Sequence, residues 1–487
     1  MGRCMETLVT HHGFSGIATP DDKRRSDYIY IPFNVPEETN KIIINYSYPK
    51  SDDNIIDIGI FDPHGHGFLN PKGFRGWSGS ERTSFYIAEN AATPGYIAGK
   101  IAPGLWAIIL GLYKIREPGC SYSVEVDLYS ERTLSAYSPS PVMRGERTSQ
   151  PKWYAGDLQS HTEHSDGKNT LGEMVAHAKN LGLEYLAITD HNTISQNLEI
   201  KKLSNIEITV IPGIEVTTYY GHANVWNNKE WIDFRCRTDE QMQKIIDQVH
   251  KQGLLFSVNH PKENGPKWEY KSVRGIDCVE VWSGPWSNLN HQAMAFWESL
   301  LSQGERIPAV GGSDAHRVAE ENSPVGLGRP TTWLYAESNS VEDLLRAIKE
   351  GHSFISNSPR GPMMDIQADI NGDGNFEMMM GEQASVSKNR KQLVRVTVTN
   401  ARKAIMRFLV NGKVESTQKI NKDKDFFDFI LMVREPVYCR AEVIKEGDSK
   451  DLDYQELEML ALSNPICFKP SKTSSLESAL ISMTEAP

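Results

Sequence analysis

Apolar strands alternate with helical segments through the middle of the chain, and this pattern constrains the fold more than any other feature. From Ala155 onwards, short strands such as LEYLAITD and LLFSVNH are followed by helical patterns such as LGEMVAHAKNLG and HQAMAFWESLLSQG. Such alternation is typical of parallel strands joined by crossover helices. About seven such units favour a closed or distorted (β/α)7 barrel, similar to a TIM barrel, over an open sheet.

The regions on either side of this segment contain strands without helices between them. Runs such as KIIINYSY and SYSVEVDLY on the N-terminal side, and QLVRVTVTN and FFDFILMV on the C-terminal side, predict two antiparallel β-sandwiches. The Ser- and Pro-rich residues 135–153 predict a linker. We therefore predict an accessory sandwich at 1–145, a barrel at 153–360, a small sandwich at 361–468 and a polar tail at 469–487.

The amino-acid composition and charge indicate which classes of binding partner and which cellular setting suit the protein. The net charge of −11 over 487 residues disfavours nucleic acid, whose backbone usually requires a basic face. Small anionic substrates remain compatible, because bound metal cations reverse the local field. No apolar run approaches the roughly 20 residues that span a bilayer. The first residues lack the apolar core of a secretory signal, and the six scattered cysteines predict reduced thiols, so we expect a cytoplasmic setting.

Side chains that bind metals recur at the ends of the predicted central strands. In the first strand, Asp157, Gln159 and His161 share one face, because strand side chains alternate between faces. The carboxyl ends of barrel strands converge on one rim, where active sites lie. Five histidines and three carboxylates fall at or near such ends: His161, Asp166, His191, Glu215, His222, His260, Asp314 and His316.

These eight side chains predict a metal site. Clustered carboxylates repel one another, and buried imidazoles need hydrogen-bonding partners. A borderline divalent cation satisfies both kinds of group at once. A single histidine at a strand end is more often an ordinary polar residue, but eight ligand-type residues at successive strand ends favour a multinuclear centre.

Five segments together resemble the polymerase-and-histidinol-phosphatase (PHP) superfamily. They are GDLQSHTEHSDG, AITDHN, PGIE, NHP and GSDAHR. The sequence that follows GSDAHR, with PTTWLYAES and LLRAIKEGHSFISNSPRG, is most similar to the CehA/McbA branch. The resemblance covers roughly residues 153–365 and implies a barrel with two or three divalent ions of the zinc, manganese or iron type.

The resemblance also implies how the metal ligands are shared. Transferred position by position, the first metal takes Gln159, His161, Glu215 and Asp314. Glu215 bridges to a second metal held by His222 and His260, and a third metal is held by Asp166, His191 and His316. The chain departs from the family at its first motif, since H-x-H is replaced by Gln159-Ser160-His161. An amide oxygen is a weaker and harder donor than an imidazole nitrogen, which puts full occupancy in question.

The function implied is hydrolysis of a small ester by a metal-bridging hydroxide, with a phosphoester favoured. We expect Glu215 and Asp314 to act in catalysis, and Arg317 either to contact the substrate or to form a surface ion pair with Glu320 or Glu321. Lys262 is a weaker candidate of the same kind, and His164 is assigned a supporting or substrate-contacting role. Two alternatives stay open. One is a carboxylic or carbamate ester hydrolase, and the other is a degenerate protein that binds metal or ligand without turnover.

Overall fold

The computed structural model describes residues 6–131, 150–203, 207–263, 267–318, 323, 325–447 and 453–471. The N-terminal elements are β1 (Glu6–Ala18), α1 (Pro20–Arg25), β2 (Tyr28–Val35), β3 (Lys41–Ser47), β4 (Ile55–Phe61), β5 (Phe74–Gly79), β6 (Ser84–Ala88), β7 (Gly104–Lys114) and β8 (Cys120–Glu131). They form two four-stranded antiparallel sheets in the orders β1-β8-β3-β6 and β2-β7-β4-β5. Ile44 and Val126 from one sheet share a buried core with Ile58 and Leu110 from the other.

The middle of the chain is mixed α/β. Its elements are β9 (Lys152–Asp157), α2 (Leu171–Asn180), β10 (Tyr185–Ile188), α3 (Ser195–Ile200), β11 (Thr209–Thr218), β12 (Gly221–Trp226), α4 (Asp239–Lys251), β13 (Phe256–Asn259), β14 (Cys278–Ser283), α5 (Asn290–Ser302), β15 (Ala309–Gly312), β16 (Thr331–Ala336), α6 (Val341–Glu350) and β17 (Ser353–Ser356). Helices α2, α4, α5 and α6 confirm four helices that hydrophobic spacing predicts.

Local capping explains where these helices begin and end. Thr170 accepts a hydrogen bond from Glu173 N at the start of α2, and the Glu173 carboxylate accepts one from Thr170 N. Such a reciprocal box satisfies two backbone donors that a helix leaves unpaired. Helix α6 ends at Gly351, whose φ of 72° lies in the left-handed region that glycine adopts most easily.

The predicted strand–helix alternation is interrupted in two places. Strand β12 runs antiparallel to both β11 and β13, so β11 and β12 form a hairpin without a crossover helix. No helix joins β13 to β14 in the described residues 260–263 and 267–277. The remaining neighbours, β9 with β10, β10 with β11, β13 with β14 and β14 with β15, are parallel as expected.

The seven strands from β9 to β15 do not close into a continuous hydrogen-bonded barrel. The ladder instead continues past β9 through β16 and β17 as an open path. The two ends of the run nevertheless meet, because Ser160 and Ala315 form an isolated parallel bridge beyond β9 and β15. His161 N donates to Ala315 O at 2.9 Å, and Asp314 N donates to Gln159 O at 3.0 Å. This bridge brings the first and last motifs of the chain's central region into contact.

The C-terminal strands form a further layer. They are β18 (Met363–Asp369), β19 (Met378–Met379), β20 (Gln383–Val386), β21 (Arg390–Thr399), β22 (Ile405–Val410), β23 (Lys413–Lys419), β24 (Lys424–Val433), β25 (Val437–Ile444), β26 (Met459–Ser463) and β27 (Ile466–Pro470). Strands β19-β18-β21-β24 form one antiparallel sheet, whereas β26, β25, β22 and β23 extend the central sheet through β17. The domain boundaries suggested by sequence stay a prediction, and most of the expected linker and tail lies outside the described residues.

The described cysteines and helices bear on two predictions made from the composition. Cys120, Cys236, Cys278, Cys439 and Cys467 are free thiols, as predicted, while Cys4 lies outside the described part of the chain. None of the described helices has both the length and the apolar character needed to cross a membrane.

Segment 231–236, between β12 and α4, anchors the N-terminal sheets to the central region. Trp231 stacks on Phe74 with ring centroids 4.2 Å apart. Arg235 is almost fully buried and donates to Tyr30 Oη at 2.8 Å, while its Nη2 lies 2.7 Å from Asp233 Oδ2. It also donates to the backbone carbonyl of His66 at 2.8 Å. Arg235, whose charge is balanced by Asp233 in the same segment, therefore joins the two regions through its hydrogen bonds to Tyr30 and His66.

We expect Arg235→Leu to lower the free energy of unfolding by about 3–5 kcal/mol, because Asp233 would be left buried without its counter-charge. The matched control is Arg395→Leu, which breaks the more exposed Arg395–Asp428 pair at 2.7 Å and costs about 0–1 kcal/mol. Denaturant titrations followed by circular dichroism measure both. Equal losses for the two variants would contradict the role given to Arg235.

Candidate metal centre

The structure brings the eight candidate ligands predicted from sequence into one cluster of three overlapping groups. Within each group, one ligand atom per residue lies within 4.8 Å of the others. The groups are His161, Asp166, His191 and His316; Glu215, His222 and His260; and His161, Glu215 and Asp314. His161 and Glu215 each belong to two groups, so the three form one continuous site. These sets match those that the family resemblance implies, except that Gln159 is not in the first set and that His161 also joins Asp166, His191 and His316. The roles of these residues as ligands stay a prediction.

Glu215 is the carboxylate around which the imidazoles collect. Its side chain is fully buried on β11. Oε1 lies 3.1 Å from His222 Nδ1 and 3.1 Å from His260 Nε2. Oε2 lies 3.1 Å from His191 Nδ1 and 3.4 Å from His161 Nε2. One carboxylate thus faces four imidazoles, an arrangement suited to bridging two cations.

The other two carboxylates lie on either side of this centre. Asp314 Oδ1 is 2.9 Å from His161 Nε2. Asp166 Oδ1 is 3.3 Å from His316 Nε2 and 3.6 Å from His191 Nε2. Every histidine of the cluster therefore has a carboxylate oxygen within ion-pair distance, which is the mixed nitrogen and oxygen donor set that zinc-like ions prefer.

The first motif does not lie on a strand as the sequence pattern predicts. Strand β9 ends at Asp157, because its ladder with β10 pairs only Gly156 and Asp157. Asp157 Oδ1 then accepts hydrogen bonds from Gln159 N at 3.2 Å and Ser313 N at 2.9 Å. This buried carboxylate holds the segment after β9 against the segment after β15, and so positions the residues that follow both strands.

Two candidate ligands at this rim have a strained backbone. His260 has a φ of 29° and Asp314 a φ of 53°, values that residues with a Cβ rarely adopt. His260 directly follows β13, and Asp314 is the second residue after β15. Strained conformations of this kind persist where surrounding structure holds them, and they are frequent at functional sites.

Gln159, which replaces the histidine of the family motif, is fully buried within the cluster. Its Nε2 donates to Asp314 Oδ1 at 3.3 Å, and its Oε1 has no hydrogen-bond partner among the described residues. The same is true of His222 Nε2. An unpaired buried polar atom costs about 1–3 kcal/mol. The donor set therefore fits divalent cations, which such orphaned atoms can coordinate.

The charges of the cluster are strongly coupled. Burial alone raises the pKa of Glu215, but His191 and His222 hold it well below its usual range. Burial lowers the pKa of His191, whereas Asp166 and Glu215 raise it to about 10. Burial lowers the pKa of His222 below its ordinary value. The carboxylates thus attract positive charge to His191, where metal binding would replace a proton.

A fully buried carboxylate, Asp190, fixes the loop that carries Asp166. It accepts hydrogen bonds from Thr162 N and Thr162 Oγ1, both at 2.8 Å, and from Ser165 Oγ at 2.7 Å. His191 is oriented by Thr217, whose Oγ1 lies 2.6 Å from His191 Nδ1. Partners of this kind orient metal ligands and are needed for tight binding.

Sequence reasoning missed Glu280. This buried residue of β14 accepts a hydrogen bond from His260 N at 3.1 Å. Burial and nearby Asp314 raise the pKa of Glu280 well above its usual range. A Cβ on Gly312 would lie 2.6 Å from Glu280 Oε1, so only glycine fits there. The signal was present in the sequence, since Glu280 is a charged residue inside the apolar run CVEVW.

The weaker candidates lie away from the centre of the cluster. Lys262 is buried and donates to Ser283 O at 3.1 Å and Asn290 Oδ1 at 3.0 Å, and burial lowers its pKa to about 8. Arg317 is exposed, and its expected partners Glu320 and Glu321 lie outside the described residues. His164 lies between Ser195 Oγ at 2.7 Å and Glu199 Oε2 at 2.9 Å, which supports a structural role in the loop.

A separate acidic group lies in the turn between β18 and β19. Asp369, Asp373 and Glu377 place carboxylate oxygens within 4.8 Å of one another. Asp369 accepts hydrogen bonds from Gly372 N at 2.6 Å and Gly374 N at 2.9 Å. The strands on either side pair antiparallel, as expected for a hairpin turn.

A cavity of about 290 Å³ opens above the cluster. Asp166, His191 and His222 form its floor. The opposite wall comes from the N-terminal sheets, including Asp57 and Tyr113. The two regions together enclose the space in which a small substrate would meet the candidate ligands.

Comparison with known proteins agrees with this geometry. Residues 157–278 match the PHP domain, and residues 301–353 match a region described as PHP-associated. The chain therefore contains a PHP domain, with several antiparallel sheets on either side of it and buried His, Asp and Glu clusters of the kind that hold metal. These matches do not separate the branches of the superfamily, and the CehA/McbA assignment stays a prediction.

Individual relatives are similar over part of the chain. The 5'-3' exoribonuclease Rnm of Escherichia coli K12 is 32% identical over 108 residues, which are 22% of this chain and 29% of that protein. An uncharacterised protein of Methanocaldococcus jannaschii is 32% identical over 117 residues, 22% of this chain and 66% of its own length. A solved two-domain protein from Bacteroides vulgatus, described as containing a predicted PHP-like metal-dependent phosphoesterase, is 14% identical with a TM-score of 0.37. That match covers 68% of this chain and all of that one.

We expect divalent transition metals to stabilise chelator-treated protein, because cations neutralise the clustered carboxylates. At an ion concentration of about 100 times Kd, Tm should rise by roughly 5–10 °C. Asp314→Asn, which keeps the shape and removes the charge, should lose most of this rise. Asp373→Asn, in the separate hairpin group, serves as the control and should keep it. Differential scanning fluorimetry with Mn²⁺ and Zn²⁺ measures the shifts, and an equal rise in both variants would contradict this site.

Proposed function

We propose that this chain is a metal-dependent phosphoesterase that hydrolyses a small phosphate ester at the cluster around Glu215. The observation that carries the proposal is the overlap of three donor groups through His161 and Glu215 beneath a cavity. Donor groups that share a carboxylate suit two or three ions lying close together, which is the arrangement used for phosphoester cleavage.

The residues present define where each metal would be held. Gln159, His161 and Asp314 would hold the first ion with Glu215, and the sets containing His260 and Asp166 would hold the others. When bound, ions of the zinc, manganese or iron type supply an activated water and neutralise charge on the ester oxygens. The chain itself supplies the fixed geometry, since most of these side chains are buried and hydrogen-bonded.

The cavity orients the substrate. Its floor, formed by Asp166, His191 and His222, would face the phosphate group, because these residues belong to the candidate metal sites. The alcohol would then extend towards the N-terminal sheets.

The similarity to an exoribonuclease supports a phosphoester over a carboxylic or carbamate ester, since RNA cleavage breaks a phosphodiester. It also favours a second candidate, hydrolysis of RNA ends by the same site. Against this, the chain has a net charge of −11, and Asp57 adds a carboxylate to the cavity wall, whereas Glu81 is paired with Lys168. A small monoester is therefore the first choice.

A substrate panel tests the proposal. Purified protein should carry at least two transition-metal ions per chain by elemental analysis, and with Mn²⁺, Zn²⁺ or Fe²⁺ it should hydrolyse a phosphomonoester such as phenyl phosphate. Chelation should abolish this activity, because the carboxylates cannot activate water by themselves. Faster turnover of a phosphodiester, an oligoribonucleotide or a carbamate ester in the same panel would replace the monoester proposal, and no turnover would support a degenerate site.

Glu215→Gln should be the most damaging single change in the cluster. The loss of the shared negative charge should lower kcat/KM by more than about 100-fold and reduce the metal content. Glu207→Gln, an exposed carboxylate paired with Lys179, makes the same chemical change at the surface and should leave both quantities unaltered. Near-normal turnover and metal content in Glu215→Gln would show that the bridge is wrongly assigned.

Gln159→His should raise the affinity of the first metal site, because imidazole is a better donor to zinc-like ions than an amide. We expect a gain in metal content more than a gain in rate, since the neighbours of position 159 are adapted to an amide that donates to Asp314. Metal titrations followed by calorimetry compare the two forms. Equal stoichiometry and affinity would mean that Gln159 is not a ligand.

A further inference from the structure

The cavity above the cluster has two chemically different ends. The floor belongs to the candidate metal sites, whereas the far wall is formed by strands β4, β5 and β7 of the N-terminal sheets. That wall contributes the carboxylate of Asp57, the ring of Tyr113 and the indole of Trp77, and Tyr219 approaches it from the central region. No lysine or arginine lines the cavity among the residues that the structure describes.

Only one of the two carboxylate oxygens of Asp57 accepts a hydrogen bond from the described residues. Its Oδ2 accepts a hydrogen bond from Tyr219 Oη at 2.7 Å. No hydrogen bond reaches its Oδ1 within the described ranges, although the residue is only 9% exposed. Burial raises the pKa of Asp57 to about 6, with Tyr219, Lys50 and Lys23 opposing the rise. The carboxylate is therefore mostly ionised at neutral pH.

The contact between Tyr219 and the N-terminal sheet requires a glycine, Gly111, in β7. A Cβ on Gly111 would lie 2.3 Å from Tyr219 Oη, so a larger residue in β7 would displace the tyrosine. The ring of Tyr219 lies 5.1 Å from that of Tyr113 and stacks at 5.9 Å on Tyr28. The aromatic rings hold Tyr219, and through it the Asp57 carboxylate, in one orientation.

We infer that Asp57 is a specificity-determining residue that selects phosphate esters whose alcohol carries a hydrogen-bond donor, either an ammonium or a hydroxyl group. The inference rests on the proposed function, because it assigns the phosphate to the metal end of the cavity. The free carboxylate oxygen accepts the donor, and the aromatic rings of the wall pack against the carbon atoms beside it. A second anionic group on the alcohol is disfavoured, since Asp57 would repel it.

Three esters separate the possible donors: 2-aminoethyl phosphate carries an ammonium, glycerol phosphate carries hydroxyls, and phenyl phosphate carries neither. Asp57→Asn should raise KM for 2-aminoethyl phosphate by about 10- to 100-fold, as expected for a lost hydrogen bond between charged groups, with kcat little changed. KM for phenyl phosphate should change less than about twofold. Asp57→Ala removes the acceptor altogether and should raise KM for glycerol phosphate as well.

The matched control is Glu89→Gln, which removes one negative charge from an exposed position of the same N-terminal region and should leave all three KM values unchanged. Equal KM changes for all three esters in Asp57→Asn would overturn the inference, even where the enzyme is active. Calorimetric binding of 2-aminoethyl phosphate needs no turnover. If none of the esters is hydrolysed, the proposed function fails, while tenfold weaker binding to Asp57→Asn still supports the role of Asp57 and equal binding overturns it.

Discussion

The buried carboxylate of Glu215 is the interaction on which the central region depends. Four imidazoles lie within 3.4 Å of its two oxygens, and they come from segments far apart in the chain. A buried charge of this kind is costly unless it is paired. The cluster is therefore both a candidate functional site and the point at which several strand ends must converge for the fold to be electrostatically acceptable.

A second constraint is the contact between the two ends of the strand run. The ladder does not close, but the Ser160–Ala315 bridge and the hydrogen bonds of Asp157 hold the segments after β9 and β15 together. This junction places His161 2.9 Å from Asp314. The geometry of the proposed first metal site thus depends both on backbone pairing and on the Asp157 carboxylate.

The N-terminal sheets form part of the site as well as a flanking layer. Trp231 and Arg235 connect the N-terminal sheets to the central region, and strands β4, β5 and β7 of these sheets form the far wall of the cavity. A cavity shared between two regions is a common place for substrate recognition. Under our proposals, chemistry and recognition are divided between the candidate metal cluster on one side and the wall containing Asp57 on the other.

Much of the cluster could be predicted from sequence, because a residue near the carboxyl end of a strand lies at the rim even where the exact end of the strand differs by a few residues. His191 and His260 are examples, whereas Glu215, expected at the end of its strand, lies inside β11, which continues to Thr218. The errors arose where pairing decides the outcome: β9 ends before His161, and β12 reverses direction although its sequence resembles its neighbours. Glu280 was missed because a single acidic residue in an apolar strand does not change the hydrophobic periodicity from which the strand is predicted.

The sequence by itself determined helices α2, α4, α5 and α6, most of the central strands, the residue types of the candidate ligands and the departure at Gln159, because these follow from local periodicity and residue chemistry. Only the tertiary structure decided which oxygen faces which imidazole, that the ladder stays open, and that Asp57 and Tyr219, 162 residues apart, form one wall of the cavity. Contacts of this kind are set by packing between distant segments, and no short stretch of sequence encodes them.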